Sequence, residues 1–129
     1  MPITYEIDKT RRLIRTQCVG HVSFDEVMQH FGTLEQDPGC PERLDVLLNL
    51  TELTSVPETH QLRHITEKIA HVQSKIKFEV CAIVSDTDLL FGLARMFVVF
   101  AEERFRATHV FRKVDDAEKW LISQQLADS

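Results

Sequence analysis

The stretch from Asp86 to Phe105, DTDLLFGLARMFVVFAEERF, sets the tightest limit on what this chain can fold into. Between Leu89 and Ala101 only Gly92 and Arg95 interrupt apolar side chains. At about 100° per residue, the apolar positions from Met96 round to Phe91 span roughly 220° of a helix, whereas covering one face needs little more than about 100°. One sheet cannot cover that arc. The surplus must meet the wall of a pocket, a second copy of the chain, or the last helix with Trp120. Ser85 and Asp86 offer oxygens to free N–H groups, and Asp86 and Asp88 suit the positive end of a helix, so the expected start is Asp86. The apolar run is too short to cross a bilayer, which needs about twenty residues, and Arg95 sits in its middle.

The rest of the chain has to supply that cover. With 129 residues, 43% hydrophobic and 27% charged, it is expected to form one globular domain over residues 1–129. The net charge of −5 disfavours nucleic acid and anionic membranes, which call for clustered Lys and Arg. The opening MPITYEIDKT has no basic start followed by an apolar stretch, so a cytoplasmic location is expected. Cys18, Cys40 and Cys81 are odd in number and show no C-x-x-C spacing, which fits free thiols. Phosphate-cradling glycine loops and a G-x-S-x-G elbow are absent, and no cofactor is called for.

In chain order, Ile3 to Ile7 alternates with period two, Asp8-Lys9-Thr10 is a turn, and Leu13 to Val19 is a second β-rich run. Ser23 with Glu26 forms a capping box for a helix through Phe24, Val27, Met28, Phe31 and Leu34. Asp37-Pro38-Gly39-Cys40-Pro41 ends it, and Leu44 to Leu50 is apolar enough for a central strand. Leu62, Ile65, Ile69, Val72 and Ile76 mark an amphipathic helix from Glu58 to Ile76, and Phe78 to Val84 is the next strand. Thr108 to Arg112 is a last strand, and Asp115 with Glu118 caps a closing helix. The order ββαβαβαβα implies an α/β domain with a mostly parallel, mixed five-stranded sheet and four helices.

With that order, Leu47-Leu48-Asn49-Leu50-Thr51-Glu52-Leu53-Thr54 before the second helix resembles SpoIIAA-like (STAS) domains of the anti-sigma-factor-antagonist type. Leu13-Ile14-Arg15 with Gly20, and Val110-Phe111-Arg112, agree with it. Phe91-Gly92-Leu93-Ala94-Arg95-Met96 and the Ala117, Trp120-Leu121 ending are similar to a bacterial STAS/SEC14-like branch largely without assigned function. The resemblance implies a phosphorylatable Asp-Ser-Ser-Gly turn opening the second helix. Pro57-Glu58-Thr59-His60 stands in its place, and only Thr59 keeps a hydroxyl, so a phosphoswitch loses most of its motif. The implied role is a non-catalytic module that binds a regulatory protein or a small apolar ligand.

Ligands of open α/β sheets sit beyond the strand C-termini. This singles out Thr51, Glu52, Thr54, Thr59, Ser85, Asp86 and Asp88, joined by Phe91, Met96 and Phe100 on the long helix as a partner surface. A rival reading is a small enzyme using the acidic and hydroxyl groups of that set. His60, His64, Glu67 and His71 share one helical stripe at a spacing that can hold Zn or Ni, but the stripe lies opposite the apolar face and lacks partners for metal-bound histidines, so a solvated polar face is the favoured reading. The wide apolar arc further predicts a homodimer about the long helix.

Overall fold

A tight turn at residues 9–12, with Arg12 in the left-handed region at φ 51°, folds strand β1 (Ile3–Asp8) back against β2 (Leu13–Gly20). The pairing is antiparallel and sets Ile3 opposite Cys18, Tyr5 opposite Thr16 and Ile7 opposite Ile14. Those six side chains alternate onto one face of the sheet. This computed structural model describes residues 2–127. Beyond the hairpin it continues through α1 (Phe24–Gln36), β3 (Arg43–Leu53), α2 (Thr59–Val72), β4 (Lys77–Val84), α3 (Asp88–Phe100), β5 (Ala107–Phe111) and α4 (Val114–Ala127). The element order is the one the sequence implies.

The sheet runs β1-β2-β3-β4-β5 with β2 to β5 parallel, so every crossover steps one strand in the same direction. A single crossover handedness then puts α1, α2 and α3 side by side on one face. Their core joins Ile14, Leu62, Ile69, Phe78, Cys81, Ile83, Ala94 and Phe97. α4 packs on the opposite face, where Ala117 and Leu121 meet Leu13, Leu47, Val80, Ala82 and Val84. The predicted central strand is therefore buried on both sides. Trp120 rests on β5, 5.6 Å from the Phe111 ring and 5.9 Å from His109, so the last helix does not cover α3.

Helix ends follow from side-chain chemistry. Ser23 accepts from the Glu26 N–H at 3.2 Å while the Glu26 carboxylate accepts from the Ser23 N–H at 3.0 Å, the expected reciprocal box. α2 stops at Val72, four residues short of the expected Ile76, and two helix starts also differ from expectation. α3 starts at Asp88, with the Thr87 hydroxyl accepting from the Leu90 N–H at 3.3 Å, because Ser85 is still held to the sheet by its N–H donating to the Phe111 carbonyl at 2.9 Å. α4 starts at Val114, leaving Asp115 inside its first turn and turning Glu118 toward Arg15 at 3.1 Å.

α3 distributes its apolar arc three ways. Leu90, Ala94, Phe97 and Ala101 are buried at i, i+4, i+7 and i+11. Phe91 is covered by the Arg112 guanidinium at 4.1 Å, and Phe100 by Arg63 at 5.0 Å, so cations from other elements shield two rings. Leu89, Met96 and Val99 stay 60%, 39% and 66% exposed.

Candidate functional site

Between the sheet and the α1–α3 layer the packing leaves a cavity of about 470 Å³. Its floor is the inward face of β2, β3 and β4: Thr16 and Cys18, Leu48 and Leu50, Cys81 and Ile83. Its roof is built by Val27, Phe31 and Leu34 of α1, by Leu62, Ile65 and Ile69 of α2, and by Leu90, Leu93, Ala94 and Phe97 of α3. Three parallel crossovers onto one face set these helices over these strands, and the lining side chains leave part of the space between them unfilled. At the strand C-terminal end His21, Val56 and Glu58 form a partly exposed rim. Among the described lining residues there is no lysine, arginine or aspartate, and Glu58 at the rim is the one carboxylate.

Away from the rim, burial keeps its titratable groups neutral. His30 projects from the flank of the α1 apolar stripe, its ring 5.5 Å edge-on from Tyr5 and 5.7 Å from Phe31. Burial lowers its pKa from 6.5 to about 4, so the imidazole is uncharged at neutral pH. Burial likewise raises Cys18 to about 11 and Cys81 to about 12, keeping both as thiols. Tyr5 donates its phenol to Asp37 Oδ2 at 2.6 Å, which holds its pKa up near 12 and pins the edge strand to the end of α1. Ser55 at the rim accepts from the Val22 N–H at 3.0 Å and donates to the Val22 carbonyl at 3.1 Å, tying the loop before α2 to the one before α1.

The residues singled out by sequence lie elsewhere. None of Thr51, Glu52, Thr54, Thr59, Ser85, Asp86, Asp88, Phe91, Met96 and Phe100 lines the cavity. β3 runs on through Leu53 because Val19 and Gly20 still pair with Glu52 and Leu53, so Thr51 and Glu52 are strand residues where a loop is expected. Thr51 donates to Asn49 Oδ1 at 2.7 Å, and Gln17 donates to the Glu52 carboxylate. Ser85 is fully buried and its hydroxyl has no partner among the described residues, Asp86 is exposed, and Asp88 pairs with Arg112 at 2.9 Å. Thr54 and Thr59 are exposed, and Thr59 opens α2 just after its N-cap, Glu58. These groups do not converge on a cleft.

The histidine stripe does not assemble a metal site either, for no group of three His, Cys, Asp or Glu side chains among the described residues is placed to hold an ion. His60 turns to Glu58 at 3.2 Å, and the His60 and His64 rings meet edge-on at 6.0 Å. No helix among the described residues is long and apolar enough to cross a membrane. Sequence reasoning overlooked Thr16, Cys18 and His30. The signal lay in their positions, polar residues at the inward places of β2 and beside the apolar stripe of α1.

No protein-family model matches the chain, and no curated protein does. Among solved structures, an uncharacterised protein of the DUF3478 family with a SpoIIAA-like fold, from Shewanella loihica PV-4, is similar at a TM-score of 0.63 and 21% identity. The likeness covers 92% of this chain and 91% of that one, and it establishes a SpoIIAA-like fold.

Proposed function

We propose that this SpoIIAA-like chain is a non-catalytic module that binds a small apolar molecule between its sheet and the α1–α3 layer. The observation that carries the reading is the cavity of about 470 Å³, within the range of small-molecule sites and lined mainly by aliphatic and aromatic side chains. An empty space of that size and polarity weakens a core, because its lining loses packing partners. A ligand that restores those contacts therefore binds by replacing a defect. The expected result is saturable, one-to-one fluorescence enhancement of the neutral dye N-phenyl-1-naphthylamine with delipidated protein. No enhancement at high micromolar protein, together with no small molecule carried through native mass spectrometry, refutes the reading.

A second reading concerns a protein partner, for which a copy of this chain is the occupant favoured by one feature. Leu89, Met96 and Val99, with Gly92 between them, repeat at spacings of three and four along the outer face of α3, the seam pattern of paired helices. An isologous α3–α3 dimer would cover them. Met96→Glu should then turn a sedimenting dimer into a folded monomer, and a wild-type monomer at high micromolar concentration refutes the dimer. A cytoplasmic regulatory protein as partner in place of the second copy would leave the wild type monomeric in that experiment.

A further inference from the structure

Away from the rim, two of the cavity's polar groups, Thr16 and His30, lie at one edge. Tyr5 pairs with Thr16 across the β1–β2 ladder, and the His30 ring lies against Tyr5, so hairpin register and α1 packing bring Thr16 and His30 to the β1 edge of the space. Cys18 is two residues along the same inward face of β2. Thr16 is 5% exposed, yet among the described residues its hydroxyl makes no hydrogen bond, and neither nitrogen of His30 makes one. Neither group is among the fully enclosed unpartnered atoms, Arg11 Nη2 and Ser85 Oγ, so both keep surface that a ligand can reach and pair with. The α2 and α3 side chains that roof the space, Leu62, Ile65, Ile69, Leu90, Leu93 and Phe97, are apolar and offer no partner.

Building on the reading of the cavity as a ligand site, we propose that its ligand is an uncharged amphiphile, a chain or ring system with one hydroxyl or carbonyl head, that enters head first. The head is anchored by the Thr16 hydroxyl and the His30 imidazole. Thr16 can donate and accept, and neutral His30 has one donor and one acceptor nitrogen, so the pair can satisfy an alcohol or a ketone. The same end disfavours anions. No lysine or arginine lines the space, so a carboxylate placed there has to take up a proton. At pH 7.5, with a carboxyl pKa of about 4.3, that costs roughly a thousandfold in affinity. Protonating His30 instead starts from a pKa near 4 and is no easier. The rings that face His30 supply no positive charge: Phe31 is uncharged and Tyr5 is held in its neutral form.

Displacement of N-phenyl-1-naphthylamine from delipidated full-length protein at pH 7.5 by 1-decanol, decanoate and decyl phosphate tests the proposal. Decanol is expected to displace at least tenfold more strongly than either anion. Thr16→Val and His30→Phe, each verified as folded by circular dichroism, should weaken decanol relative to the dye by roughly three- to tenfold, the worth of one hydrogen bond. If His30→Phe does not fold, Thr16→Val alone decides the anchor. Decanoate or decyl phosphate equal to decanol overturns the neutral-head inference, and so does a decanol affinity unmoved relative to the dye by the anchor variants. In both cases dye binding persists and the cavity reading stands. Failure of the dye itself to bind removes that reading and, with it, this inference.

Discussion

Filling the cavity from α3 separates a genuine void from a packed core by the sign of a stability change. Ala94 is 6% exposed, lies one turn beyond Leu90 in the buried line of α3, and lines the cavity. Ala94→Leu adds three carbons, worth about 2.4 kcal/mol if all are buried at about 0.8 kcal/mol each. Compactness of the unfolded chain trims this by roughly 10–40%, and ordering the new side chain costs about 0.5–1 kcal/mol. The net expectation is a gain of about 1 kcal/mol. In a core already at native density the same change costs about 1–3 kcal/mol. Urea denaturation followed by circular dichroism reads the difference. With a slope of about 1–3 kcal/mol per molar, the midpoint should rise by roughly 0.5 M with the slope unchanged. A midpoint that falls refutes the void and the function built on it.

Other perturbations probe separate parts of the account. His30 has a folded-state pKa depressed from 6.5 to about 4, so its contribution is present above pH 6.5 and is lost as pH falls through 4; the loss is about 3 kcal/mol, and His30→Phe should lack it when urea midpoints at pH 7 and pH 4 are compared. Gly20 sits at φ 71° with open space around a would-be Cβ, so Gly20→Ala should destabilise by about 1–2 kcal/mol through backbone strain alone, as measured by urea midpoint. Ser85→Ala removes a fully buried hydroxyl without a partner among the described residues and should raise stability by about 1 kcal/mol in thermal melts; a drop would mean that the hydroxyl has an undetected bond.

The element order was legible because each signal was local and strong. Ser23 with Glu26 fixed one helix start, and near-continuous apolar runs at Leu44–Leu50 and Phe78–Val84 marked strands covered on both faces. The width of the α3 apolar arc was also legible, yet its disposition was not. That arc is divided among a cavity wall, rings under Arg63 and Arg112, and an exposed stripe, a division set by distant residues that no local pattern encodes. An apolar pocket walled by the long helix was anticipated, but its floor on β2 and its α1 wall were not, for the same reason. It is a property of layer spacing, and the expectation that ligands sit beyond strand ends pointed to Thr51, Glu52 and Asp86 rather than to the space beneath the helices. His30 and Thr16 carried a readable hint, polarity at inward positions, but only the β1–β2 register shows that they adjoin.

Methyl and imidazole chemical shifts during titration with 1-decanol test the central claim most directly, since the two cores of the protein report separately. The account predicts saturable shifts at Leu48, Ile65 and Leu93 and at the His30 ring, with Leu47, Val80 and Leu121 beneath α4 unmoved. Shifts confined to Leu89, Met96 and Val99 on the outer face of α3, or no shifts at saturating decanol, would contradict it.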